Sequence, residues 1–316
     1  MENQKLKAHV FALITIFIWG STFISTKLLL TDFTALEILL YRFIIGYLVL
    51  IFIYPQSYRP QSLRQELYLA AAGLTGITIY YLLENIALEY TYASNVGTLV
   101  SIAPLFTAIF AYYFLKNERP STFFYIGFAL AIYGVIMISF QGTNITISPK
   151  GDILCIIAAV SWGAYSIFCK KISNFGNINA TLMTKRIFFY GILFILPIAL
   201  FENWDWRWQH FADPLNLLNM LYLGVGASAI CFTTWNWAIA ELGAVKTSVY
   251  LYLTPIITVI ASALVLNEPI TKALVIGITL ILVGLIVSEL KKESHHDTLI
   301  KINFDKERYL RSKEHR

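Results

Sequence analysis

Long apolar runs, each closed by charged, proline or turn residues, follow one another along this chain from residue 8 to residue 289. A helix needs about 20 such residues to cross roughly 30 Å of hydrocarbon. Windows of that kind fall near 8–30, 35–54, 67–88, 92–115, 122–140, 152–171, 178–200, 215–239, 244–266 and 272–289. Membrane β-strands would instead show segments of about ten residues alternating with period two, and FYIGFALAIYGVIMISF is too long and too evenly apolar for that. The pattern predicts an all-α polytopic membrane protein with ten transmembrane helices joined by short connections. No soluble catalytic insert interrupts it.

Composition agrees: 57% of the 316 residues are hydrophobic and 14% charged, against about 25% charged in a soluble domain. The net charge of +5 loses any nucleic-acid meaning once it is located. Residues 291–316 carry eight Lys/Arg against five Asp/Glu, so the excess is largely a basic tail. The opening apolar run continues past signal-peptide length without a small-residue cleavage site and reads as a first span. Lys5, Lys7, Arg59, Arg64, Lys116, Arg119, Lys170, Lys171 and the tail fall on one side, and Lys150, Arg207 and Lys272 on the other. The positive-inside rule then puts both termini in the cytosol and the chain in the cytoplasmic membrane. The segment 201–214 becomes an outward loop whose Trp204, Trp206 and Trp208 read as interfacial anchors. Cys155, Cys169 and Cys231 are widely spaced in apolar runs, so neither a disulfide framework nor a metal site is indicated. No phosphate loop, HExxH or GxSxG motif is present, and no cofactor is implied.

The two halves echo each other. Trp19-Gly20-Ser21 returns as Trp162-Gly163-Ala164, Lys27 as Lys170 and Arg42 as Arg186; Pro104 matches Pro255, and Asn117-Glu118 matches Asn267-Glu268. Gly127 and Gly134 match Gly277 and Gly284. Ordered matches of this kind across five spans indicate a duplication. The expected division is a first five-helix repeat over 1–145, a second over 146–290, and the basic cytosolic tail 291–316. Five is odd, so the second copy enters the membrane inverted, an arrangement that suits a secondary transporter exposing a central site alternately to each side.

These features together resemble the EamA-type family of the drug/metabolite transporter superfamily over residues 8–289: the early Trp19-Gly20-Ser21 and its echo, the Tyr41-Arg42-Phe43 cluster, the paired prolines, the Asn-Glu pairs and the following glycines. The resemblance implies a ten-helix exporter of small metabolites, commonly amino acids or related compounds, with a cavity between the halves. Ala164-Tyr165 in place of Ser21-Thr22, and Lys185-Arg186 in place of Tyr41-Arg42, make the expected cavity asymmetric.

Polar groups inside hydrocarbon are costly unless they meet water, ligand or one another. Arg42, Lys185 and Arg186 are the candidate cations for a substrate carboxylate, with pairing of Arg42 to Glu37 or Glu84 as the structural alternative. Trp19, Tyr80, Asn95, Trp162, Tyr165, Trp235, Asn236 and Tyr250 are candidate ring walls and amide contacts for the substrate. Lys27 and Glu84 are candidates for an outward gate or for proton coupling, static pairing or snorkelling being the plainer role of Lys27. The expected partners are a small-molecule substrate, protons and membrane lipids, with monomer and homodimer both open. Multidrug transport, uptake, a non-transporting membrane sensor and an intramembrane enzyme are the competing functions; the enzyme is least supported, for want of a clustered nucleophile, base or metal set.

Overall fold

The computed structural model describes residues 2–115, 122–139, 149–176, 178–201 and 207–290. Among these residues every regular element is a helix, and none is a strand. We number its long helical segments α1 (Glu2–Leu29), α2 (Ala35–Ile53), α3 (Leu63–Tyr90), α4 (Ala93–Phe114), α5 (Thr122–Ser139), α6 (Pro149–Ser173), α7 (Ala180–Phe201), α8 (Pro214–Leu242), α9 (Ala244–Val265) and α10 (Lys272–Glu289). Eight of them, all except α5 and α10, are long and apolar enough to cross a membrane. Within α5 and α10 the apolar stretches are shorter, Phe123–Gly134 and Lys272–Ser288.

Contacts between distant segments fix which helix ends lie together. At the near end, where α1 begins, His9 meets Tyr250, Lys170 meets Ala240, and Lys185 meets the α2–α3 connection. At the far end, Lys27 meets Leu88 and Thr91, Glu268 meets Ala93, and Asn216 meets Asp32. Consecutive helices therefore run in alternating directions.

Four segments depart from regular helix, in matching pairs. In α3 the turns widen to π-helix over Leu74–Ile79, and in α8 over Tyr222–Ile230. In α4 the helix breaks at Ser101-Ile102, and in α9 it tightens to 3-10 over Val249–Leu253. Pro104 and Pro255 sit in the first turn of the segment that resumes after each break, where a missing N–H removes no helical bond. The interruptions thus fall just ahead of the matching prolines.

Contacts between the halves, and bonds within each half, are paired as well. A β-carbon on Gly20 of α1 would lie 2.6 Å from Ile257 of α9, and one on Gly163 of α6 would lie 2.8 Å from Phe106 of α4. Ile257 and Phe106 are separated by the same interval as Pro255 and Pro104. Lys27 donates to Leu88 O and Thr91 O at the C-terminus of α3, and Lys170 donates to Ala240 O near the C-terminus of α8. Each ammonium thus serves orphan carbonyls at the negative end of a helix. α5 and α10 pack on each other through Gly127 and Gly284, whose backbones approach so closely that a β-carbon on either would meet the other's carbonyl oxygen within 2.5 Å. The apolar face of the pair that includes Tyr125, Tyr133, Val275 and Ile286 stays exposed, as a lipid-facing surface does.

Candidate functional site

The centre of the bundle is aromatic. Trp19 of α1 lies 5.3 Å from Trp162 of α6 and 5.0 Å from Trp235 of α8, measured between ring centroids. Tyr80 of α3 lies 4.8 Å from Trp162, and Tyr165 lies 4.9 Å from it. Phe232 fills the space between Trp19, Tyr81, Trp162 and Phe188. The structure therefore gathers Trp19, Tyr80, Trp162, Tyr165 and Trp235 from four helices into one buried cluster at the contact of the two halves.

The π-helical segments hold this cluster. A widened turn leaves main-chain carbonyls free to accept from elsewhere. Trp19 Nε1 donates to Ala227 O in the α8 segment at 2.9 Å, and Ser161 Oγ of α6 donates to Thr75 O in the α3 segment at 2.7 Å. Each half's first helix is thereby tied to the irregular turn of the other half.

Beside the cluster lies a cavity of about 20 Å³, lined by Trp19, Thr22, Phe23, Tyr80, Tyr81, Glu84, Ser101, Trp162 and Thr254 among others. That is room for about one water molecule, whereas small-molecule sites run to about 300–1,000 Å³. In this conformation the centre is shut around its own side chains. A second cavity, about 390 Å³, opens at the near end between α6, α7 and α8; Asn179, Met183, Thr233, Asn236 and Glu241 are among its walls. Its floor is a hydrogen-bonded chain: Tyr165 Oη donates to Asn236 Oδ1 at 2.6 Å, and Asn236 Nδ2 donates to Thr184 Oγ1 at 3.0 Å. Tyr165 and Asn236 thus stand between the near-end cavity and the aromatic centre.

Arg42 is fully buried. Its Nε donates to Ser228 Oγ at 3.2 Å, its guanidinium lies 4.2 Å from the Tyr81 ring centroid, and Nη1 and Nη2 have no hydrogen-bond partner. Glu84 is buried beside Tyr80 with Oε1 unpartnered. Neither the Arg42–Glu84 nor the Arg42–Glu37 ion pair forms within 4.0 Å. Glu37 instead completes the capping box of α2 with Thr34 and faces Arg207 at 3.6 Å.

The other candidates lie elsewhere. Lys185 donates to Tyr54 O and Gln56 O at the near end, and Arg186 is paired there with Glu66, which also accepts from Tyr190. Arg186 is one-third exposed, six residues past the start of α7, and is separated from the aromatic cluster. Both cations turn to partners at the near end rather than to the centre. Tyr250 pairs with His9 at the near end, while Asn95 holds Thr91 Oγ1 in the far-end corner between α3 and α4. Lys27 is engaged with the α3 carbonyls and makes no contact with Glu84. In the 201–214 loop, Trp208 packs on Tyr41 and Phe211; Trp204, Trp206, Lys116, Asn117, Glu118, Arg119 and the tail lie outside the described residues. The site residues that sequence reasoning missed are Tyr81, Ser228 and Phe232. Their only signals were adjacency to Tyr80 and membership of the small-residue run beside Cys231.

An all-helical bundle with eight apolar helices long enough to span is a multi-pass membrane protein. A sequence model of the EamA-like transporter family matches residues 6–140 and again 149–290. The chain belongs to that family, and so to the drug/metabolite transporter superfamily. Similar proteins include an "uncharacterized transporter" of Archaeoglobus fulgidus, 27% identical over 83% of this chain and 90% of the relative. Another is the "uncharacterized transporter YcxC" of Bacillus subtilis, 27% identical over 93% of this chain and 96% of the relative. A solved crystal structure matches with a TM-score of 0.65 at 18% identity, over 91% of this chain and 99% of the other, a likeness of fold. The protein is a transporter rather than an enzyme.

Proposed function

We propose that this chain is a ten-span secondary transporter that exports amino acids or related small metabolites across the cytoplasmic membrane by alternating access. In this reading α5 and α10 also span. The two five-helix halves, 1–145 and 146–290, insert in opposite senses, and the near end with the tail 291–316 faces the cytosol. The observation that carries the reading is the set of matching contacts in and between the two halves. Gly20–Ile257 mirrors Gly163–Phe106, and the Lys27 bonds on α3 mirror the Lys170 bond on α8. The double match of one family model to the two halves supports the same duplication.

The two cavities support the conformational part. The near end opens on about 390 Å³, the centre holds about 20 Å³, and the far end is tied across Lys27, Thr91, Ala93 and Glu268. A metabolite reaches the centre only if side chains at Tyr165 and Asn236 give way, and leaves at the far end only if those ties part. Orientation rests on Lys5, Lys7, Arg59, Arg64, Lys170 and Lys171 at the near end, against Lys150, Arg207 and Lys272 at the far end. In proteoliposomes the purified protein is expected to show saturable exchange of a radiolabelled amino-acid mixture, reduced at least about tenfold by Trp19→Ala, a loss of about 1.4 kcal/mol or more in transition-state terms. Equal exchange by a folded Trp19→Ala protein would remove the aromatic centre from the pathway.

A further inference from the structure

We propose that the central site recognises its substrate by a protonated amine, held by Glu84 within the ring wall of Trp19, Tyr80 and Trp162, and that Arg42 is not the substrate's carboxylate partner. The inference deepens the transport reading and rests on it.

The starting point is the chemistry that faces the cavity. Glu84 is the one ionisable acid among its lining residues, and one of its carboxyl oxygens lacks any partner although the residue is 2% exposed. A buried carboxyl oxygen in that position is costly until a donor meets it. Around it stand ring faces, which carry negative quadrupole potential and attract cations, Trp most strongly. The neighbouring hydroxyls reinforce that sign. Thr22 Oγ1 donates to Trp19 O at 2.7 Å, and Ser101 Oγ donates to Thr98 O at 2.6 Å. Their protons are committed to the main chain, so each offers only lone pairs to the cavity. The Trp19 N–H is likewise engaged, by Ala227 O. The Glu84 carboxyl, the ring faces and these lone pairs are the complement of an ammonium with its three donors. The lining groups able to donate are Thr254 Oγ1 and Trp162 Nε1, both without partners, and the hydroxyls of Tyr80 and Tyr81, and they suit an uncharged acceptor elsewhere on the substrate.

Arg42, the obvious carboxylate binder from sequence, is absent from the lining. Its guanidinium is stacked on Tyr81, whose ring does line the cavity, and its Nε is bonded to Ser228. The cation is therefore one layer behind the cavity wall.

Matched compound sets separate the two ends of a substrate: phenethylamine, phenylalanine and 3-phenylpropionate, and isoamylamine, leucine and 4-methylpentanoate. Binding to the full-length protein in nanodiscs is read by quenching of tryptophan fluorescence and by thermal shift. The expected order in at least one set is amine and amino acid binding, with the deaminated acid at least about tenfold weaker, and with Glu84→Gln weakening the amine by a similar factor. Acids binding as well as amines, no amine binding in either set, or unchanged amine affinity in a folded Glu84→Gln protein would each overturn the proposal. The compound series on the unaltered protein decides the matter even where Glu84→Gln does not fold. Amine bound but never exchanged in proteoliposomes would defeat the transport reading and leave this one standing; exchange of the acids without amine binding would do the reverse.

Discussion

Arg42 carries a full charge into the middle of the bundle, where it meets one hydroxyl and the faces of Tyr81 and Phe43. A buried charge so thinly compensated gives little net stability, and exchanging such groups for apolar ones of similar reach is often neutral or stabilising. Arg42→Met is accordingly expected to melt at or above the temperature of the unaltered protein in detergent, whereas Arg42→Ala, which leaves a void, is expected to lose about 2–5 kcal/mol. Equal losses in both variants would mean that the charge itself holds the fold. At this scale the sequence was informative where a residue recurred and silent on direction. Trp19 and Trp162 stood out because both precede a glycine at matching positions, and both reach the centre. Arg42 was visible as a deep cation, yet which way its guanidinium turned depended on Tyr81 and Ser228, which belong to other helices. Lys185 and Arg186 lie almost as far into α7 as Arg42 into α2 and differ in where their side chains turn, towards Tyr54 just past α2 and Glu66 on α3, partners that no local motif marks.

Helices in this bundle are joined at their ends by side chains from the opposite half. Glu268, from the α9–α10 connection, accepts from Ala93 N at 2.7 Å, Ser94 N at 2.9 Å and Ser94 Oγ at 2.6 Å, and so caps the start of α4 from across the far end. Tyr92, the residue in the cap position, makes no side-chain bond itself. Losing a cap costs about 0.5–2 kcal/mol, and here the loss is local. Glu268→Ala is expected to speed hydrogen exchange at the Ala93–Val96 amides by roughly tenfold, while the core of α6 keeps its protection. Uniform acceleration would point to general destabilisation, and unchanged exchange would show that the cap does not hold the corner. The spans themselves were legible because membrane helices need long apolar runs. Their irregular turns were not, since a π segment differs from an α segment by one residue per turn and leaves the apolar pattern intact. The small residues at 70–76 and 224–229 are their only trace, and they allow the close packing of Gly76 on Tyr165 and Gly224 on Ile45.

Across the whole molecule, the paired irregularities and reciprocal contacts give a bundle in which each half grips the other twice. One end is open as far as the Tyr165–Asn236 chain, and the other is closed. The central claim is that transport requires the closed far end to part between the halves. Tyr90, at the end of α3, and Gly151, at the start of α6, offer a direct lock: a β-carbon on Gly151 would lie 3.3 Å from that of Tyr90, close to the spacing of about 3.5–4.5 Å that a disulfide needs. The native Cys155, Cys169 and Cys231 are free and buried, and Cys155, one turn along α6 from Gly151, is replaced by Ala in the background used for the lock. The decisive measurement is substrate exchange by the Tyr90→Cys, Gly151→Cys protein in proteoliposomes, before and after oxidation. Oxidation is expected to abolish exchange, and reductant to restore it. Exchange at the unaltered rate through fully oxidised protein would contradict the central claim.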